Sequence, residues 1–196
     1  EWHGWQPCRE TRPRGTRNPA LYVSRPACRR TRPSPHSYNA GMFVHLRLHT
    51  EFSVVDGTTR IDEVVKAAAK DGQPALAITD LNNLFGAIKF YKEGRGKGVK
   101  PILGAEVYLE GEAGAPPARL LLLVQNRQGY LNLSELLARA WTRGVVKNLP
   151  LCTWDWLQEL HAGLIALAGA QAGPVGQALM RGDEAGAAAL ALRLAG

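Results

Sequence analysis

The sequence predicts an α/β fold with a mostly parallel sheet, preceded by a disordered tail. Three observations carry this. From Met42 onward, short apolar runs alternate with segments of helical periodicity, the pattern of right-handed βαβ units. The run at 75–79 is continuously apolar, as strands buried on both faces are. Glycine, proline and aspartate punctuate the junctions between segments. In folds of this class, doubly wound or closed into a barrel, binding groups collect just past the carboxyl ends of the strands.

Residues 43–48 alternate as a strand, and Asp56-Gly57 makes a turn. Thr59 is placed to cap a helix whose apolar residues Ile61, Val64, Val65, Ala68 and Ala69 share one face, closed by Gly72. The strand at 75–79 follows. A second helix puts Leu84, Ala87, Ile88 and Tyr91 on one side and is expected to end in a turn of Gly94, Gly96 and Gly98. That glycine-rich stretch follows a helix and precedes a strand, the reverse of a dinucleotide fingerprint, so it reads as a helix end and not as a phosphate cradle. Strands are expected at 101–109 and 119–124, separated by the loop 111–117. A helix then aligns Leu133, Leu136, Leu137, Ala140 and Trp141. Thr153 caps a short helix through Leu160, residues 163–169 supply a fifth strand, and 173–196 read as alanine-rich helix.

The formal charge of +7 suggests a nucleic-acid binder until it is located. Residues 1–41 hold eight arginines against two glutamates, a net of +6, and the remaining 155 residues carry +1. The same segment holds six of the twelve prolines, which interrupt every possible helix, so disorder is expected. Three readings of it remain open: an arm for nucleic acid or an acidic partner, a targeting peptide, or upstream sequence joined to a gene whose natural start is Met42. The abrupt change of composition at Gly41-Met42 favours the last. Cys8, Cys28 and Cys152 form neither a disulfide framework nor a CxxC zinc pattern, so a reducing, cytoplasmic setting is expected. No apolar run approaches the ~20 residues that a membrane span needs.

The informative residues lie at the strand ends: residues 45–57 from His45 to Gly57, then Ile78-Thr79-Asp80-Leu81-Asn82-Asn83, then Lys100-Pro101-Ile102-Leu103-Gly104-Ala105-Glu106. Singly each is weak, since a lone strand-end histidine is more often structural than a ligand. In this order and spacing they resemble the PHP (polymerase and histidinol phosphatase) domain family, in the form found at the N-terminus of bacterial replicative DNA polymerases. The resemblance runs from residue 43 to about 169 and includes Gly129-Tyr130-Leu131-Asn132-Leu133. It implies an incomplete, distorted (β/α)7 barrel over 42–196, with an unpaired edge that would make the isolated piece prone to aggregate.

In active members of the family, His, Asp, Glu and Cys side chains at the barrel mouth hold up to three metal ions that activate water against a phosphoester. Carried onto this sequence, the ligand positions His49, Asp56 and Glu106 are retained. Four others are Arg47, Leu81, Arg119 and Ala170, none of which offers a lone pair at neutral pH. A final Asp and His of the pattern would lie beyond Gly196. The expectation is that Arg47 and Arg119 stand where metal would stand and balance Asp56 and Glu106, with no metal or other cofactor bound and no catalytic residue here.

The resemblance implies a parent that adds nucleotides to a primer with palm-domain carboxylates and magnesium, and no palm is present in these residues. It also implies partners: the proofreading exonuclease (epsilon) subunit and the rest of the polymerase (alpha) subunit, with DNA handled through the parent. The leading expectation is therefore a non-catalytic structural and docking module. The alternative is a metal-dependent phosphoesterase or 3′–5′ exonuclease with a reduced site on His49, Asp56 and Glu106. A third reading, a free-standing basic nucleic-acid module, would depend on residues 1–41 and be salt-sensitive.

Overall fold

The computed structural model describes residues 43–111 and 115–195. The arginine-rich segment 1–41, and with it the expected disorder, lies outside the described residues.

The sheet is organised around the longest strand, β2 (Lys100–Leu109). Its first half pairs in parallel with β1 (Ala75–Ile78), from Ala75 opposite Lys100 to Ile78 opposite Leu103. From Gly104 on it pairs with β3 (Ala118–Val124), which runs antiparallel. The physical reason is the connection: residues 110–117 are too few for the helical crossover that a parallel neighbour needs. A short hairpin, β4 (Val145–Val146) and β5 (Leu149–Cys152), adds β5 in parallel at Tyr108 and Leu109. On the far side, β6 (Leu164–Leu167) pairs antiparallel with β3, giving the order β4-β5-β2-β3-β6 with β1 also on β2. The barrel is incomplete, as expected, and its strand pairings are mixed in direction.

Residues 43–48 lie beside β1 without forming a regular strand. His45 and Leu48 carbonyls accept from Ala77 N and Thr79 N, each at 2.9 Å, but the Leu48 N–H goes to the Thr79 hydroxyl and one bridge, His45 to Leu76, is all the ladder that forms.

Helix α1 (Ile61–Lys70) buries Ile61, Val65 and Ala68, and its first-turn Asp62 and Glu63 favour the positive end of the helix dipole. Arg60, not Thr59, occupies the N-cap position. Thr59 instead bridges Thr50 and accepts from Glu51 N at 2.8 Å, so it belongs to the loop beneath.

Helix α2 (Ala87–Lys97) corrects two expectations. Its buried face is Ala87, Phe90 and Gly94, whereas Ile88 and Tyr91 are exposed. Gly94 and Gly96 lie inside the helix, and only Gly98, with φ +76°, forms the left-handed C-cap. A β-carbon on Gly94 would sit 3.0 Å from the Val99 carbonyl, so the helix uses glycine where the chain doubles back into β2.

Helix α3 (Arg127–Arg143) starts at an Asn126 cap whose side chain accepts from Gly129 N. A β-carbon on Gly129 would fall 1.9 Å from the Gly163 carbonyl, which explains a glycine in the first turn of an otherwise strong helix. Leu133, Leu136, Leu137 and Ala140 are buried as expected, but Trp141 is half-exposed. The hairpin that follows has no counterpart in the sequence reading. Its two turn residues, Lys147 and Asn148, both have positive φ, 49° and 65°, without the glycine that usually signals such a turn.

Thr153 caps α4 (Trp154–Leu160) as expected. The carboxyl-terminal helical stretch is two helices, α5 (Pro174–Met180) and α6 (Glu184–Ala195), broken at Gly182, where φ is +77°.

Two cores result. Ile61, Val65, Leu76, Ile78 and Phe90 pack α1 and α2 against β1. Val107, Leu120, Leu122, Leu133, Leu136 and neighbours pack the later helices against β2 and β3. Leu121 and Leu123 point the other way, onto Ala77, which is why β3 reads as an unbroken leucine run. Cys152 is buried in the larger core, and burial pushes its thiol up to about 12. Among the described residues, no helix is long and apolar enough to cross a membrane.

Candidate functional site: an ion-pair cluster at the strand ends

Five of the seven positions singled out in the sequence converge. The extended segment beside β1 delivers Arg47 and His49. The loop after it turns tightly, with Asp56 N and Gly57 N both donating to the Ser53 carbonyl, and this brings Asp56 back under His49. Glu106 comes from the middle of β2 and Arg119 from the start of β3.

The Glu106 carboxylate is the centre, its side chain only 3% exposed. Its Oε2 accepts from Arg47 Nε at 3.1 Å and Nη2 at 2.9 Å, lies 2.6 Å from His49 Nε2, and has Arg119 Nη1 at 3.7 Å. The other ring nitrogen, His49 Nδ1, is 2.9 Å from Asp56 Oδ1, while Asp56 Oδ2 accepts from Arg119 Nη1 at 3.3 Å. Arg119 is itself held by the Tyr108 hydroxyl at 3.3 Å and lies over that ring, its register partner across the β2–β3 ladder.

The titration behaviour follows from these contacts. For His49 the hydrogen bond to Glu106 is the largest influence and outweighs burial, and with the Asp56 charge it raises the imidazole above its ordinary value. Burial works against the Glu106 carboxylate, but the hydrogen bonds from His49 and Arg47 outweigh it and hold its pKa below the usual range. Asp56 is lowered in the same way: burial opposes, and the Ser53 hydroxyl and His49 prevail. Two carboxylates beside one imidazole favour its doubly protonated form, which has no lone pair to give.

That chemistry bears on the metal the family resemblance implies. A divalent ion needs the His49 lone pair and free carboxylate oxygens at one point. Here the imidazole spans the two carboxylates, Arg47 and Arg119 crowd the same Glu106 oxygen that faces His49, and Arg119 also takes Asp56 Oδ2. The donor set as arranged fits an ion-pair cluster and does not fit a divalent metal. Among the described residues, no group of three or more His, Cys, Asp or Glu side chains is arranged to hold one.

The two remaining positions differ. Leu81 is buried beside the cluster, bridging Glu106 through the backbone, with no donor to offer. Ala170 opens a 3-10 turn after β6, exposed, at φ 47°.

Sequence reasoning missed the supports. Asp80, 1% exposed, accepts from Thr50 N at 2.6 Å and from the Thr50 hydroxyl at 2.9 Å, and burial raises its pKa despite those bonds. Ser53 donates to Asp56 and accepts from Leu81 N. Asn82, at φ 54°, donates its N–H to the Glu106 carbonyl and accepts from Tyr108 N, fixing β2 next to the cluster. The one signal available was the density of Thr, Ser, Asp and Asn in the two loops.

The family model for the PHP domain matches residues 45–196. The DNA polymerase III subunit alpha of Pseudomonas aeruginosa is 48% identical over 149 residues, covering 76% of this chain and 13% of that protein. The same subunit of Escherichia coli K12 is 45% identical over 144 residues, covering 73% of this chain and 12% of that protein. This chain thus spans roughly an eighth of the length of these relatives. An amidohydrolase structure from Chromobacterium violaceum overlaps 50% of the chain and 32% of its own length, with 22% identity and a TM-score of 0.41. With the PHP domain model matched over residues 45–196, the chain belongs to the PHP domain family, and it is similar to part of the alpha subunit of bacterial DNA polymerase III.

Proposed function

We propose that this chain is a non-catalytic structural and docking module of a replicative DNA polymerase, in which an ion-pair cluster stands where metal-dependent members of the family hold metal. The observation that carries the reading is the convergence of Arg47, His49 and Arg119 on the Glu106 and Asp56 carboxylates. A guanidinium cannot ligate a cation, and its fixed charge repels one at close range. It does neutralise a buried carboxylate, as a metal would, and so preserves the link between β2, β3 and the loops above them.

In this reading the module supports the rest of the alpha subunit and the proofreading exonuclease subunit in the cytoplasm. Nucleotide addition, with magnesium on palm carboxylates, belongs to the remainder of the parent. The retained His49, Asp56 and Glu106 are then positioning residues and not general bases.

A nuclease assay on 3′-labelled single-stranded DNA with added manganese tests this. The expected result is no turnover above that of Glu106→Ala protein. Manganese-dependent release of nucleotides that Glu106→Ala abolishes would replace the reading with that of a reduced-site phosphoesterase.

A further inference from the structure

A single side-chain bond joins α3 to the backbone beside the cluster. Trp141, near the carboxyl end of the helix, is half-exposed, yet its indole N–H donates to the Asn82 carbonyl at 2.7 Å. The acceptor residue is 4% exposed and stands at φ 54°, in the left-handed region that is unfavourable for any residue with a β-carbon. Three bonds hold it there. Its N–H donates to the Glu106 carbonyl at 2.7 Å, its Oδ1 accepts from Tyr108 N at 3.2 Å, and its carbonyl takes the indole. The first two face β2, and the third ties the same residue to α3.

From Asn82 three routes lead to the cluster. Glu106 offers its carbonyl to Asn82 and its carboxylate to Arg47 and His49. Tyr108 gives its amide to Asn82 while its hydroxyl accepts from Arg119. On the chain side, the Leu81 N–H donates to the Ser53 hydroxyl at 3.0 Å, and that hydroxyl donates to Asp56 at 2.7 Å. Asn83 adds a bond from Nδ2 to the Phe52 carbonyl at 3.1 Å.

The two ends of the indole bond are unequal. When it opens, the half-exposed indole can donate to water, whereas the carbonyl of a residue as buried as Asn82 cannot be hydrated without moving. The segment 81–83 is what moves, because Asn82 leaves the left-handed region once its ties loosen. Two arrangements are therefore available: closed, with Asn82 held against β2, and open, with its backbone relaxed and Leu81 out of register with Glu106.

We propose that the Trp141–Asn82 bond is a latch that couples α3 to the ion-pair cluster. Trp141 acts as a positioning residue: through Asn82 it keeps Glu106, Asp56 and Arg119 in register, and a disturbance of the cluster is felt in turn at the indole. The coupling is independent of metal, of nuclease activity and of any docking partner.

Amide hydrogen exchange followed by NMR on the full 196-residue chain tests it. Trp141→Phe keeps an aromatic ring and removes the donor. It should speed exchange of the Asn82, Tyr108 and Leu81 amides by roughly tenfold or more, and leave the Val65 amide of α1 unchanged. Thr142→Ala, which removes a hydroxyl bonded to Ala138 within the same helix, should leave all of these amides unchanged. In the other direction, Ser53→Ala cuts the Leu81 route and Tyr108→Phe cuts the Arg119 route, neither touching α3. Each should shift the Trp141 indole N–H resonance, which is identified by its loss in Trp141→Phe. Acceleration confined to Asn82, acceleration of Val65 to the same extent, or an equal effect of Thr142→Ala would overturn the proposal. So would an indole resonance that neither Ser53→Ala nor Tyr108→Phe moves.

Discussion

Glu106 is a carboxylate withdrawn from water, with Arg47, His49 and Arg119 gathered around it. Arg47→Ala removes its shortest guanidinium bonds, yet His49 at 2.6 Å and Arg119 at 3.7 Å remain. Because Arg47 is itself 57% exposed, the expected loss is about 1–2 kcal/mol and not the larger penalty of a fully buried broken pair. Urea denaturation of the two proteins measures it, and Arg47→Lys should recover only part because ammonium cannot reproduce the two-point contact. The pH dependence has two limbs. Asp56 and Glu106 have lowered pKa values, so their stabilisation is present above the ordinary carboxylate range and is lost as pH falls through the depressed folded values. His49 is raised, so its contribution is full below about 6.5 and is lost as pH rises through its folded value. Asp80, raised by burial, opposes the carboxylate limb, since its neutral form is the one the fold favours. Denaturation midpoints should therefore peak in mildly acidic solution. The alkaline decline should flatten in His49→Gln, and an unchanged decline there would remove His49 from the explanation.

At the scale of elements, α2 gives the sharpest contrast. Gly96 has open space where a β-carbon would go, whereas one on Gly94 would press on the Val99 carbonyl at 3.0 Å and on Pro101. Gly96→Ala should raise stability by about 0.8 kcal/mol through helix propensity alone. Gly94→Ala should gain nothing or lose, and thermal melts of the two variants side by side decide it. The same helix shows where sequence reading stops. Leu84, Ile88 and Tyr91 form as good an apolar stripe as Ala87, Phe90 and Gly94, and periodicity alone cannot know that the strand turning back at Val99 demands the small residue. By contrast, α1, β1, β3 and the Thr153 cap were legible, because each depends on local pattern and burial more than on what packs against it. The β4–β5 hairpin was not, since Lys147-Asn148 adopts a glycine-like turn without a glycine.

Over the whole molecule, alternation of strand and helix was readable from the sequence, but strand direction was decided by connection length. The β2–β3 link is too short for a crossover, so the longest ladder is antiparallel. The cluster was legible in its charged members because residue type at a strand end survives translation into space. Its supports, Thr50, Ser53, Asp80 and Asn82, act through backbone hydrogen bonds that exist only once two loops meet. In the reading proposed above, fixed cations stand where metal-dependent members of the family hold metal. Metal stoichiometry tests that claim most directly. The purified chain and an Arg47→His, Arg119→His variant are equilibrated with zinc or manganese, desalted and analysed, with melting temperature recorded alongside. The parent should hold no stoichiometric metal and melt at the same temperature with metal or chelator, while the variant, given donors in place of the arginines, should gain metal and a raised midpoint. One equivalent of zinc or manganese in the parent, lost on Glu106→Ala, would contradict the idea that arginine has replaced metal.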